Sequence, residues 1–231
     1  MKINVIMPML GRGTRMYGIQ NTVKPLIEFP DKKPFFLKAL ESLSNYEIDT
    51  LVLVIPIDYQ YGFMRHMDTL HKMKNVHNVI FCCCDYTVTP CETVLKGLSV
   101  KTNDLPIIVL DCDIYSVLPV YDKIKPDEAH LFTFTTTTKN KSYIAFDKNK
   151  VTDIKEKNPI TDMAVFGAYM FGSKNLLQDK IDQCKYLSDV VKNCLPNVSF
   201  QQLKEHLEFG TAQEFKEALK EKKHALQSFS I

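Results

Sequence analysis

Residues 51–57 read LVLVIPI, seven apolar positions in a row with no polar alternation. A strand with one wet face alternates, so a run like this belongs to a strand buried on both faces, as in a parallel sheet covered by helices. Apolar runs at residues 3–7 and 107–110 repeat the theme, and residues 78–84 are expected to form a further strand. Between them, residues 35–43, 61–73 and 93–98 are expected to be helical. This alternation predicts an α/β, Rossmann-like fold, a mostly parallel sheet with helices on both faces.

The pattern changes after about residue 128. Residues 131–138 alternate Phe and Thr, short extended runs flank a turn at 147–150, and residues 162–171 are extended again. These predict a mixed, antiparallel C-terminal lobe, with helices at 187–195 and 214–222. Neither internal repeats nor a proline- or serine-rich linker interrupts the chain, so a single domain over residues 1–231 is expected, without a β-helical second domain.

A net charge of +2, with basic residues spread along the chain, gives no reason to expect nucleic acid or a membrane surface as a partner. The chain opens straight into an apolar run without a basic leader, and no stretch approaches a membrane span. The seven cysteines, including Cys82, Cys83 and Cys84 in a row, lack the CxxC spacing of zinc and redox sites. They are expected as small buried hydrophobes in a cytoplasmic protein. None of the six histidines sits in a pattern that suggests a catalytic pair.

The segment after the first strand reads Met9-Leu10-Gly11-Arg12-Gly13-Thr14-Arg15. Two glycines around one residue let the backbone approach a phosphate and turn its N–H groups toward it. Arg15 can add a bidentate positive charge, and Lys24, before Pro25, offers a second cation on a stiff turn. A Walker loop would close on Gly-Lys-Ser/Thr, and a dinucleotide loop would need a third glycine where Met16 stands. At the end of the 107–110 run stand Asp111 and Asp113. Positions i and i+2 of a strand project to one face, so both carboxylates can converge on one hard cation.

Gly11-x-Gly13-Thr14-Arg15 followed by Lys24-Pro25-Leu26 resembles the signature of sugar-phosphate nucleotidyltransferases, the nucleotide-sugar pyrophosphorylases. Later segments resemble the family's motifs in the right order: residues 90–95, 110–113, 154–159, 167–171 and 209–214. Leu10 stands where the family has Ala, Cys91 where Gly or Ala is frequent, and Ala212 where Pro is usual. The resemblance implies a GT-A type fold and a magnesium-dependent reaction in which an acceptor phosphate attacks the α-phosphorus of a nucleoside triphosphate and releases pyrophosphate.

It also implies roles. Leu10, Gly11, Arg12, Gly13 and Thr14 would line the triphosphate, with Arg15 and Lys24 as the catalytic cations. Pro90, Cys91, Glu92 and Thr93 would hold the base, and Asp111 would lie near the ribose or just behind the metal's direct ligands. Asp113 would bind Mg2+ with a second carboxylate from the C-terminal half, Asp189 or its rival Asp162. Glu156, Lys157 and Gly167 would hold the acceptor. Residues up to about 128 would then bind nucleotide and those from about 129 to 211, within an acceptor-binding and C-terminal part that runs to 231, the acceptor, a sugar phosphate or similar phosphorylated small molecule for surface-polysaccharide precursors. Self-association into a homo-oligomer is compatible with the sequence. Two other readings stay open: a metal-dependent GT-A glycosyltransferase, for which Asp111-Cys112-Asp113 would be the Asp-x-Asp, and a non-catalytic nucleotide-binding regulatory protein.

Overall fold

In the computed structural model, which describes residues 1–16 and 18–228, the apolar runs are the strands β1 (Lys2–Pro8), β2 (Glu47–Pro56), β3 (Val76–Cys84) and β4 (Ile107–Leu110). They pair in parallel in the order β3-β2-β1-β4. Strand alternation divides their side chains between two apolar layers. Ile3, Val5 and Met7 of β1 and Leu51, Leu53 and Ile55 of β2 enter one layer. Ile6, Val52 and Val54 enter the other. Helix α1 (Phe35–Leu40), α2 (Gln60–Met64) and α3 (Met67–Lys72) contribute Phe36, Leu40, Phe63 and Leu70 to the first layer. Helix α4 (Pro90–Leu98) contributes Cys91, Val94 and Leu98 to the second. Each such side chain stabilises the fold by about 1.5–3 kcal/mol on full burial. The helix expected over 61–73 is two short ones, because the backbone leaves helical geometry at His66 (φ −98°, ψ 6°).

Beyond the short strand β5 (Ile114–Tyr115), the chain adds β6 (Ala129–Thr135), the hairpin β7 (Ser142–Asp147) and β8 (Lys150–Glu156), and β9 (Met163–Phe171). The central piece is β9, which lies antiparallel between β4 and β6 and joins both halves into one nine-stranded sheet. It is buried from end to end, which explains its unbroken small and apolar composition. Helices α5 (Lys174–Lys180) and α6 (Leu187–Lys192) follow, placing Leu177, Val190 and Val191 in the second layer. Strand β10 (Val198–Gln202) runs parallel to β6 and meets β8 in antiparallel fashion. The sheet is therefore mixed α/β rather than mostly parallel, because the strands after β4 enter largely by antiparallel pairing. Neither α5 nor β10 was expected; β10, with VSFQQ, is too polar at one end to announce itself.

The chain closes with β11 (Leu207–Glu208), which pairs with β5, and α7 (Ala212–Ser228). Phe209 and Phe215 pack edge-on against Phe29 and Phe35, with ring centroids 4.6–5.2 Å apart. Met16 and Ile27 join this cluster, so the C-terminal segment is clamped to the region of the glycine loop. Aromatic pairs of this kind add about 0.5–1.5 kcal/mol each beyond area burial. Among the described residues no helix is long and apolar enough to cross a membrane.

Candidate active site

Strand order reverses beside β1: β2 and β3 lie on one side and β4 on the other. In open α/β sheets the crevice outside the strand ends at such a point is where ligands bind. The loops after β1 and β4 both open here, into a cleft of about 610 Å³.

After β1 the chain folds as a single 3₁₀ turn at Thr14–Met16, fastened by a bond from the Met16 N–H to the Gly13 carbonyl (2.9 Å). Buried Met16 anchors the turn, and Arg15 is left exposed. Among the described residues no carboxylate forms an ion pair with Arg15. A second 3₁₀ turn, Lys24–Leu26, buries Pro25 and Leu26 and points Lys24 inward. Lys24 Nζ donates to Asp113 Oδ2 at 2.7 Å.

Across the cleft the Asp111 N–H donates to the Gly167 carbonyl (2.9 Å). Gly167 has φ +88°, and a Cβ there would lie 2.7 Å from Asp111 Oδ2, so only glycine lets β9 pass this close.

Burial pushes the Asp111 carboxyl up to about 7, and neighbouring Asp113 acts in the same direction, with Lys24 and Lys141 offsetting only part. For Asp113, burial also works upward, but Lys24, by charge and hydrogen bond, together with Lys141 and Arg15, holds the group below its usual value. Burial acts to lower Lys24, yet Asp113 foremost keeps its ammonium charged and its pKa above the ordinary lysine value. One carboxylate stays ionised while the other is poised to be ionised by an added cation.

The cleft is lined by Gly11, Gly13, Thr14, Arg15, Lys24, Pro90, Asp111, Asp113, Glu156, Lys157 and Gly167. The remaining residues singled out from the sequence lie outside its lining. Leu10 and Cys91 are buried in the second apolar layer. The Arg12 guanidinium lies over the Tyr86 ring, 5.9 Å from its centroid. Glu92 accepts from the Val88 N–H (2.9 Å), and the buried Thr93 hydroxyl donates to the Thr89 carbonyl (3.3 Å), so both serve the N-terminus of α4. Asp189 caps α6, accepting from the Lys185 and Tyr186 N–H groups at 3.1 and 2.9 Å. Asp162 is exposed at the start of β9.

Other lining residues carried no pattern in the sequence: Asn140, Lys141, Ser142 and Glu208; Tyr169, within the 167–171 motif, lines it too. Glu156 accepts from Ser142 and, at 3.1 Å, from Ser188. Burial, with Asp111 and Glu156 nearby, pushes the Tyr169 phenol up, so it remains a hydrogen-bond donor. Lys157, in left-handed backbone geometry at φ 53°, holds its ammonium 5.2 Å from the Tyr186 ring centroid. Lys141 and Ser142 would have looked like an ordinary polar loop; only the distant Glu208 and Glu156 reveal where they point.

Among the described residues no three or more His, Cys, Asp or Glu side chains converge as a ready metal cage. Two adjacent carboxylates are nevertheless what Mg2+ accepts, since it keeps several waters and is commonly held by one or two carboxylates plus substrate phosphates. The donor set at Asp111 and Asp113 fits that ion.

A protein-family model described as "Nucleotidyl transferase" matches residues 4–214. No curated protein sequence matches the chain. Among solved structures, a nucleoside-diphosphate-sugar pyrophosphorylase from Vibrio cholerae is 18% identical, covering 94% of this chain and 99% of its own, with a TM-score of 0.77. A UDP-glucose pyrophosphorylase complexed with UDP-glucose is 15% identical over 97% of this chain and 100% of its own, with a TM-score of 0.75. An inositol-1-phosphate CTP transferase from T. maritima is 13% identical over 93% of this chain and 91% of its own, with a TM-score of 0.74.

Proposed function

Since the chain belongs to the nucleotidyl transferase family, and so is a nucleotidyltransferase, we propose that it transfers a nucleoside monophosphate from a triphosphate to a sugar phosphate or similar phosphorylated small molecule, with release of pyrophosphate. The observation that carries this reading is the shared cleft. Arg15, Lys24 and the glycine loop form one wall, Glu156, Lys157 and Gly167 the other, and Asp111 and Asp113 stand between them.

An acceptor phosphate is already ionised at neutral pH, so the chemistry needs no Ser, Cys or His nucleophile. Positioning and charge neutralisation suffice. Arg15 holds the leaving pyrophosphate, and Lys24 neutralises the α-phosphate. Lys157 takes the acceptor phosphate, and Glu156, oriented by Ser142 and Ser188, reads acceptor hydroxyls. Asp111 and Asp113 would hold Mg2+, which supplies charge neutralisation to the phosphates when bound. Asp189, committed to its helix cap, is poorly disposed to join them.

On this reading residues up to about 128 serve the nucleotide and about 129–211 the acceptor. A GT-A type arrangement with helices on both faces is supported by the division of α1–α3 and α4–α6 between the two apolar layers. All seven cysteines are free thiols, which supports a cytoplasmic setting, where surface-polysaccharide precursors are activated. Self-association remains part of the proposal without a surface assigned to it.

The test is a matrix of nucleoside triphosphates against sugar and polyol phosphates, read by pyrophosphate release with and without chelator. Release that needs both substrates and a divalent ion is expected. Consumption of a ready-made nucleotide sugar without pyrophosphate chemistry would instead identify a glycosyltransferase.

A further inference from the structure

Strand β3 is the outer strand of the nine-stranded sheet, bordered among the described strands by β2 alone. It ends in Cys82, Cys83 and Cys84, which are half-buried free thiols rather than the buried hydrophobes expected of them. Strand alternation separates the three. Cys83 packs against the first apolar layer, while Cys82 and Cys84 pack against the second. There the two sulfurs lie 3.5 Å apart, and the Cys82 thiol also meets the Lys96 carbonyl of α4 at 3.6 Å.

Thiols this close can be joined directly or bridged, and the backbone decides which. Residues two apart on a strand stand about 6.4–6.8 Å apart, with their side chains side by side. A disulfide needs Cβ atoms about 3.5–4.5 Å apart. Cys82 and Cys84 are in register with Val54 and Pro56 of β2, so the strand cannot contract without giving up its pairing. A bridging metal ion asks for less. Two bonds of about 2.3 Å, the length of a Zn–S bond, span sulfur separations up to about 4.6 Å. The observed 3.5 Å lies within that reach.

The number of ligands then selects the metal. Among the described residues no third His, Cys, Asp or Glu side chain joins the pair. Structural Zn2+ takes four ligands, and Mg2+ prefers oxygen. Cu(I) is the soft ion that two thiolates satisfy, because its filled d shell accepts a two-coordinate geometry. Burial and the Cys84 thiol push Cys82 up to about 11, while the Lys96 ammonium acts the other way. That ammonium also suits the complex, since two thiolates around Cu(I) leave a net negative charge. The edge is remote from the aspartates: β2 and β1 stand between β3 and β4, and three strand spacings amount to about 14 Å.

We propose that Cys82 and Cys84 form a dithiolate site for one Cu(I) ion at the open edge of the sheet. On binding, both S–H bonds break, two Cu–S bonds form, and two protons leave for solvent. The copper arrives monovalent, so nothing is oxidised or reduced. The site does not depend on the nucleotidyl-transfer reading.

The test is an anaerobic competition with bicinchoninate, whose Cu(I) complex is coloured. Wild type should withdraw one ion per chain, and Cys83→Ser and Cys184→Ser should match it. Cys82→Ser and Cys84→Ser should each weaken binding by more than the roughly 10–100-fold that changes outside the direct ligands cost. Circular dichroism checks the folding of every variant. Alkylation of wild type, mapped by mass spectrometry, needs no variant: bound Cu(I) should protect Cys82 and Cys84 and leave Cys83 as reactive as before. Wild type that withdraws no copper, or a folded Cys82→Ser or Cys84→Ser variant with wild-type affinity, would overturn the proposal. So would protection of Cys83 in place of the outer pair, or a Cys82–Cys84 disulfide formed by peroxide in the folded protein.

Discussion

Replacing Lys24 by methionine keeps the length of the side chain and removes its charge. The Lys24–Asp113 pair is 2.7 Å long, with side chains 18% and 15% exposed. Breaking a buried pair by deleting one partner typically costs about 3–5 kcal/mol, because the other charge is left uncompensated. Some solvent reaches this pair through the cleft, so the lower end, roughly 3 kcal/mol, is the appropriate figure. For a chain of this size each kcal/mol moves the midpoint by about 2–4 °C, which gives a fall of about 6–12 °C for Lys24→Met. Adding Asp113→Asn removes the stranded charge and should restore more than half of the loss. The assay is thermal unfolding of wild type, both single variants and the double variant in chelator, so that no metal substitutes for the ammonium. Repeating it with Mg2+ should stabilise Lys24→Met more than wild type, since the ion supplies the missing charge. A Lys24→Met midpoint within about 2 °C of wild type, or a double variant no better than the single, would refute the coupling and with it the argument that Lys24 keeps Asp113 ionised.

Arg15→Ala should lower turnover by about two orders of magnitude while moving the midpoint little, since a placed donor on developing phosphate charge is worth a few kcal/mol and Arg15 is exposed; steady-state pyrophosphate release checks the first part and thermal unfolding the second. Lys157→Ala should lower kcat/KM for the acceptor and leave triphosphate affinity unchanged by calorimetry; the opposite split would reverse the two halves of the cleft. His130, stacked on Tyr121 and bonded to Ser199 (2.8 Å), is pushed down by burial to about 3. Below its ordinary value of 6.5 the unfolded chain binds a proton that the folded chain refuses, so stability is lost as pH falls from about 6.5 toward 3. Between pH 6.5 and 5 the loss is roughly 2 kcal/mol, and the unfolding free energy from urea titrations should fall by about that much more for wild type than for His130→Gln between the two pH values.

Much of the glycine-loop side of the cleft was legible in the sequence because its logic is local. Residues 51–56 of the apolar run are buried in the interior strand β2, whereas Ile57 begins the turn that follows and is exposed. The glycines, Arg15 and Lys24 follow one strand within a few turns, and Asp111 and Asp113 close another, so linear spacing already carries their neighbourhood. Local logic also explains why two roles for one carboxylate could not be told apart. A carboxylate just after Tyr186 looks the same whether it faces a metal or caps a helix, and Asp189 caps α6.

The opposite wall of the cleft and the charge balance were decided by long-range pairing. Strand β9 enters antiparallel between β4 and β6, a placement that its own apolar sequence is equally compatible with in a parallel neighbourhood. Its insertion turns a mostly parallel expectation into a mixed sheet and sets Gly167 against Asp111. Lys141 and Glu208 are 67 residues apart and meet only because β11 pairs back onto β5. What the sequence alone determined is which segments bury apolar faces and which short glycine-bearing loops follow a strand, since those depend on neighbours along the chain. Which charges meet was left to the tertiary structure, because Coulomb energy depends on distance in space, and strand order, not chain order, sets that distance.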